Sequence, residues 1–354
     1  SRVGHGIEDA YFRIGSRYSS DEKYVDDLLV TKLEDIDNRY DLLHLLKKAR
    51  VIVSTLASIQ GKKELFSLVK IDAIVVDEAS QILEPQLMGF LSKAAKFILI
   101  GDHYQLPAIV RQNEEESKVQ DEELKNIGLV ERRNSLFERL YKTCESNAWT
   151  WALGKLSLQG RMHQDIMDFA NKHFYNDFLS TIPSREDLRA QSEINRLTYI
   201  PSEIDQESIT FKTNQREAEI TAKVVARILK RYRKEAMDFH DQSIGIITPY
   251  RAQISAIKAE LIDHGSSKGI NVDTVERYQG GARDIIIISM CLNLDNQLKQ
   301  LVSLSTDGID RKLNVALTRA RKQVFVIGNE EIMCKNEVYA SLIDSCVRLE
   351  KEEI

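Results

Sequence analysis

The chain is predicted to be an α/β protein, because short apolar runs ending in polar or acidic residues alternate with amphipathic helical patterns along most of its 354 residues. Two runs carry the prediction. Ile74-Val75-Val76 closes on Asp77-Glu78, and Phe97 to Ile100 closes on Gly101-Asp102-His103-Tyr104-Gln105-Leu106-Pro107. Strands joined by a helical crossover pair in parallel, and ligands of such sheets gather outside the strands' carboxyl ends. A buried strand ending in Asp-Glu is suited to offer one carboxylate to Mg²⁺ and a second to an attacking water.

The elements follow in order. Residues 1–48 read as a charged, irregular segment with one helix, Asp35 to Lys48, apolar at Leu42, Leu43, Leu45 and Leu46. A first α/β domain spans 49–150, with strands at Arg50 to Val53, Ile71 to Val76 and Lys96 to Ile100. Its helix, Glu84 to Ala94, has Pro85 in the first turn, where a missing N–H costs nothing. Residues 111–133 carry Glu114-Glu115-Glu116 and Asp121-Glu122-Glu123 and read as a mobile, solvated insertion. A helix from Ser135 to Leu140 should dock on this first domain. The second domain, 151–330, has a helix from Gln164, strands at Leu197 to Ile200, Ile244 to Ile247, Ile270 to Val272, Ile285 to Ser289 and Val324 to Ile327, and a long amphipathic helix, Asn214 to Lys234. Asn214 with Glu217 three residues on resembles a capping box. Residues 331–354 read as a terminal helix.

Composition narrows the function. With 43% hydrophobic and 29% charged residues, cores form without disulfides or metals. No apolar stretch reaches the roughly 18 residues of a membrane span. The cysteines at 144, 291, 334 and 346 are scattered and read as free thiols of a reducing cytoplasm. His103 and His163 have no partner at metal-ligand spacing, and Tyr104 and Tyr278 read as packing residues. Lys and Arg number 21 against 25 acidic residues up to Thr150, and 28 against 29 beyond. Nucleic-acid binding would therefore need a local groove rather than a basic surface.

Four further runs complete the pattern: Gln159-Gly160-Arg161-Met162-His163; Thr248-Pro249-Tyr250-Arg251 with Gln253; Val272 through Gly280; and Leu313-Asn314-Val315-Ala316-Leu317-Thr318-Arg319-Ala320-Arg321. Together with Asp77-Glu78, Gly101–Pro107 and Val51-Ile52-Val53-Ser54-Thr55, they resemble, in the same order, motifs Ic, II, III, IV, V and VI of the superfamily 1 helicases. The branch is the 5′-to-3′ one of the nonsense-mediated-decay, senataxin-like and helicase-nuclease enzymes.

The resemblance implies a partial first and a complete second RecA-like domain of the P-loop NTPase kind, parallel sheets flanked by helices, with ATP and Mg²⁺ bound between them. It implies a monomeric motor running on single-stranded DNA or RNA. By position, Asp77 is expected to hold Mg²⁺, Glu78 to polarise the attacking water, Gln105 to sense the γ-phosphate, and Arg161 and Arg319 to neutralise the phosphates. Asp102, Gln279 and Gly280 are expected around the nucleotide. Ser54, Thr55, Thr248, Tyr250, Arg251 and Thr274, at strand ends, are candidates for contacts to the nucleic-acid backbone or are ordinary polar loop residues.

Three departures qualify it. The chain has no G-x-x-x-x-G-K-[ST] run, and Gly61-Lys62-Lys63 lacks the upstream Gly and the hydroxyl; with Ser at position 1, the expectation is the carboxyl-terminal portion of a longer protein. Gly160 stands where the family usually has Tyr, and Ala282 where it usually has Glu, which relaxes the expected reading of the base and ribose. The alternatives are a nucleic-acid-stimulated ATPase that remodels complexes and a non-catalytic nucleic-acid-binding module.

Overall fold

The computed structural model describes residues 10–62, 64–110, 112–190, 194–266, 268–305 and 307–354. Residues 1–9 of the N-terminal segment, Lys63 and Arg111 lie outside them. The chain divides into two compact units: one comprises the residues up to Gly101 with Ala108–Leu140, the other Asp102–Pro107 with Tyr141–Ile354.

In the first unit, β1 (Tyr11–Ile14) runs parallel to β2 (Val51–Ser54). The sequence reading missed β1, which lies in the segment expected to be irregular. Its four residues bury only Phe12 and Ile14, too short an alternation to stand out. These two side chains pack with Leu46 and Leu65. The helix Arg39–Lys48 starts later than the predicted Asp35, because the Asn38 side chain accepts from the Tyr40 and Asp41 amides and caps it there. A second parallel pair joins β3 (Ile71–Val76) to β4 (Ala94–Leu99). Ala94, expected to end the intervening helix, opens β4 instead; that helix spans Glu84–Leu91. Its Leu87 and Leu91 pack against Leu136 of the helix Leu136–Ser146. Arg139 reinforces the contact, donating Nε and Nη2 to the two carboxylate oxygens of Glu84 at 2.8 and 2.5 Å.

The acidic stretch is more ordered than its charge suggested. Asn113 and Asp121 cap one-turn helices at Glu114–Ser117 and Glu122–Asn126. The Val119 amide donates to the Val130 carbonyl across an antiparallel bridge, Lys118 to Glu131, which buries Val119.

The second unit is built on a six-stranded sheet in the order Val347–Arg348, Leu197–Pro201, Ala320–Gly328, Arg283–Ser289, Ile244–Ile247, Asn271–Asp273. A short pair, β5 (Leu158–Gln159) and β6 (Ser180–Thr181), lies apart. The sheet strands are β7 (Leu197–Pro201), β8 (Ile244–Ile247), β9 (Asn271–Asp273), β10 (Arg283–Ser289), β11 (Ala320–Gly328) and β12 (Val347–Arg348). Every pairing is parallel. The tail is not one terminal helix: Asn336 caps a new helix, Glu337–Asp344, after which β12 joins the sheet edge beside β7. Strand β10 explains the apolar runs. Ile285 and Ile287 meet the helices Gln215–Lys234 and Arg251–Asp263 on one face, while Ile286 and Ile288 meet Gln164–Phe174 and Arg311–Thr318 on the other. A strand covered on both faces has no polar alternation to show.

Glu217 does not form the predicted capping box. Asn214 does cap the helix, accepting from the Glu217 amide, but the Asn214 N–H donates to Gln253 Oε1. The Glu217 carboxylate turns inward and accepts from Ser202 Oγ (3.1 Å), Ser289 Oγ (2.7 Å) and the Cys291 amide (2.8 Å). One buried side chain thus ties the carboxyl ends of β7 and β10 to the start of the longest helix.

Burial pushes the Glu217 carboxyl up to about 7 despite those three donors. A carboxyl raised in the fold binds a proton that the unfolded chain has already lost, so its contribution is full below about pH 4.5 and fades as pH rises through about 7. Denaturant melts of the wild type should lose on the order of 3 kcal/mol across that window through this group. Glu217→Gln should flatten the loss, whereas Glu217→Ala, which strands three donors, should cost roughly 3 kcal/mol near neutral pH.

Candidate functional site

The predicted residues fall into two groups, one in each unit. In the first unit, β3 ends at Val76, and Asp77 and Glu78 extend exposed from its carboxyl end. Glu78 has φ 52° and ψ 36°, a left-handed conformation that costs a non-glycine residue on the order of 1 kcal/mol or more. Its neighbours hold it there. The Ala79 amide donates to the Ile100 carbonyl, the Glu78 amide donates to Asp77 Oδ1, and Gln81 Nε2 donates to Glu78 Oε2 at 2.7 Å. The loop after β4 presses so close that a Cβ on Gly101 would sit 2.9 Å from the Ser80 backbone nitrogen. Glycine is required there by contact. The result is a pair of solvent-facing carboxylates on a turn fixed from below.

Ser54 ends β2 and Thr55 follows it in the same unit. Both are exposed, and both hydroxyls are engaged locally: Ser54 Oγ donates to the Ile14 and Thr55 carbonyls, and Thr55 Oγ1 caps the next helical turn by accepting from the Ser58 amide.

The second unit gathers more. Asp102–Pro107 belongs to it, and side chains from elsewhere in the unit bond to its residues. Tyr175 Oη donates to Asp102 Oδ2 at 2.7 Å, Arg311 Nε donates to the His103 carbonyl at 2.9 Å, Asn314 Nδ2 donates to the Tyr104 carbonyl at 2.9 Å, and Arg319 Nη2 donates to Gln105 Oε1 at 3.2 Å. Leu106 lies in the main apolar core. Gln105 is oriented at both ends of its amide, since Nε2 donates to Asp102 Oδ2 at 2.9 Å.

Arg319 is only 2% exposed. Its Nη1 reaches the Gly281 carbonyl at 3.3 Å, beside Gly280, whose φ of 78° marks a left-handed turn. Arg161 is exposed and donates Nη1 to the Thr318 carbonyl, one residue from Arg319. The Gln279 side chain lies toward the Leu106 carbonyl at 3.5 Å. The second unit therefore brings together six predicted residues: Asp102, Gln105, Arg161, Gln279, Gly280 and Arg319. The planar fork of a guanidinium matches phosphate oxygens.

The remaining candidates line the carboxyl ends of β8 and β9. Thr248 is 1% exposed, and its hydroxyl has no hydrogen-bond partner among the described residues. Tyr250 is half-buried, with burial raising its phenol pKa, and Arg251 is exposed at the first helical position after it. Thr274 precedes a single helical turn and its amide donates to Asp273 Oδ1. Tyr278 is buried, and its hydroxyl accepts from the Ile246 amide. His163 serves as a helix cap, Nδ1 accepting from the Asp165 amide.

Sequence reasoning missed two residues. Gln159 staples the turn that carries Arg161: its Oε1 accepts from the Arg161 and Met162 amides at 2.9 and 2.8 Å. Its place just before Gly160-Arg161 was the available signal. Tyr175, which joins Asp102 to Asn314, had none, since a tyrosine at the end of an amphipathic helix reads as packing.

Comparison with known proteins bears on both units. Residues 132–331 match an AAA domain family, and residues 15–113 match a second family of the same description. An uncharacterized ATP-dependent helicase of Methanocaldococcus jannaschii is 30% identical over 344 residues, covering 92% of this chain and 45% of that protein. Helicase sen1 of Schizosaccharomyces pombe is 30% identical over 320 residues, 86% of this chain and 17% of the relative. ATP-dependent helicase upf1 of the same yeast is 28% identical over 318 residues, 85% and 31%. The chain thus spans less than half the length of these relatives. The motif order, the parallel α/β units and the two matched families agree: the chain belongs to the superfamily 1 helicases, in the Upf1- and Sen1-like branch.

Proposed function

We propose that this chain is the motor portion of an ATP-dependent helicase or translocase that moves on single-stranded nucleic acid. The observation that carries the reading is the hydrogen-bonded cluster of Arg319, Gln105 and Asp102, with Arg161 beside it. Phosphoryl transfer asks mainly for positioning and neutralisation of charge. A guanidinium that is already desolvated and oriented has little reorganisation left when charge develops on the transferred group. The names of the relatives, ATP-dependent helicases among them, support the same assignment.

Asp77 and Glu78 fit the remaining chemistry. Among the described residues no cluster of three or more potential metal ligands occurs, which suits Mg²⁺: it keeps most of its waters and takes one or two carboxylates plus substrate phosphates. Asp77 would hold the ion, and the ion would neutralise phosphate charge. Glu78, on its strained turn, is free to face solvent and orient a water. Gln105 would report the γ-phosphate by exchanging its bond to Arg319.

For the strand, the exposed Arg251, half-buried Tyr250 and Thr274 lie at the carboxyl edge of one sheet, where main-chain and side-chain donors suit sugar and phosphate rather than base edges. The same reading includes a monomeric protein, 5′-to-3′ movement, and a reducing, cytoplasmic setting in keeping with four free cysteines. No helix among the described residues is long and apolar enough to cross a membrane.

The first test is made in the complete gene product. Glu78→Gln should lower kcat for ATP by about 10²–10⁴ while leaving nucleotide affinity within a few fold. Arg319→Ala should lower kcat by up to about 10³–10⁵ and weaken ATP binding far less; equal losses in rate and binding would reduce the arginine to a ground-state contact. The 354-residue chain alone should turn ATP over negligibly, and turnover of about 10 per second that requires Glu78 would contradict this.

A second test concerns the strand. Because neither half of the chain is basic, affinity for labelled single strands should fall with a log–log salt slope of only about −2 to −4 and should tolerate changes of base sequence. It should also respond to a non-hydrolysable ATP analogue. Affinity indifferent to nucleotide and to Thr274→Ala would leave a binding module rather than a translocase.

A further inference from the structure

The Gln105 amide has two ends, and the fold specifies what each one meets. Its oxygen accepts from Arg319 and its nitrogen donates to Asp102. A carboxamide rotated by half a turn would set its N–H₂ against the guanidinium, donor against donor. The charge on Asp102 is what forbids that rotation, so the geometry at Arg319 depends on where the Asp102 carboxylate sits. One oxygen, Oδ1, accepts from the Tyr104 amide at 3.0 Å, and the other is held by Tyr175. Its hydroxyl donates to the same oxygen, Oδ2, that receives Gln105, and it accepts from Asn314 Nδ2 at 3.0 Å. Asn314 lies on the helix Arg311–Thr318, which leads directly into Arg319, and it also holds the Tyr104 carbonyl.

We infer that Tyr175 is a positioning residue for nucleotide hydrolysis: through Asp102 it orients the Gln105 amide, and through Asn314 it registers the Asp102–Pro107 loop against the helix that ends at Arg319. Three properties suit it to the task. The ring is held edge-on to Tyr104, with centroids 6.1 Å apart, so the hydroxyl has little freedom. Burial first, and then the neighbouring Asp102 charge, hold the phenol pKa well above its ordinary value, so the hydroxyl stays a donor throughout the working pH range. One hydroxyl serves both as donor to the loop and as acceptor from the helix, so movement of either partner is felt by the other.

The inference rests on the proposed ATPase reading for its kinetic consequence, and its structural consequence can be read without activity. In the complete gene product, Tyr175→Phe should lower strand-stimulated kcat about tenfold while KM for ATP changes by less than about twofold, the signature of a lost transition-state arrangement. On a Gln105→Ala background the same substitution should add almost nothing, because the residue acts through Gln105. A Tyr175→Phe protein with unchanged kcat, or one whose loss multiplies with that of Gln105→Ala, would overturn the inference. In glutamine-labelled protein, the Gln105 side-chain amide, assigned by its disappearance in Gln105→Ala, should exchange its protons several-fold faster in Tyr175→Phe, with the buried Gln253 amide as an unchanged control. Unaltered Gln105 exchange would overturn the inference whatever the ATPase result. A wild-type protein without strand-stimulated ATPase but with the exchange effect would instead count against the functional reading alone.

Discussion

The second unit depends on one constraint: a parallel sheet buried on both faces must satisfy every backbone group within the sheet and send each connection across a face. The crossover helices follow from this, and so does the direction of the strands. Parallel strands place all their carboxyl ends on one edge, and the loops leaving that edge are the polar ones. Thr248, Thr274 and Ser289 stand there because the chain must turn there. Glu217 serves the same edge from beneath, converting three strand-end donors into one buried acceptor network.

Charge sets the second requirement. Arg319 is almost wholly removed from water, a position that a guanidinium tolerates only with acceptors around it. Gln105 and the Gly281 carbonyl are among them. Both of these acceptors are neutral oxygens. The first unit uses strain where the second uses desolvation. Glu78 is kept left-handed by the bond from Ala79 to Ile100 and by the close approach of Gly101 to Ser80, and so its carboxylate projects outward from a turn that would otherwise relax.

Legibility in the sequence followed the physics of each element. Strands β8 and β10 were readable because covered strands need uninterrupted apolar runs; β3 was readable from Ile74-Val75-Val76, although the strand expected to be buried is partly exposed, with Val75 open to solvent. β1 and β12 were not readable, since a four-residue and a two-residue edge strand are defined by the neighbour they pair with. Helix starts were off by the distance to the residue that caps them, as at Asn38 and Asn336. The acidic stretch misled because charge density describes solvation, whereas two capped turns and one buried valine decide its shape.

By itself the sequence determined the α/β class, the order of the motifs, and the identity of the residues with chemistry to offer: two carboxylates after one strand, a Gly-Asp-x-x-Gln loop after another, and two arginines far along the chain. Those properties are local or compositional, carried by residue type and short spacing. Tertiary structure alone decided which partner each would have. It assigned Asp102–Pro107 to the second unit, matched Gln105 with Arg319 across 214 positions and Tyr175 with Asp102 across 73, and buried Thr248 while leaving Arg251 exposed. Hydrogen bonds between residues so distant in the chain form only after the sheet and its helices have brought their ends to one edge, and no spacing along the sequence records that meeting.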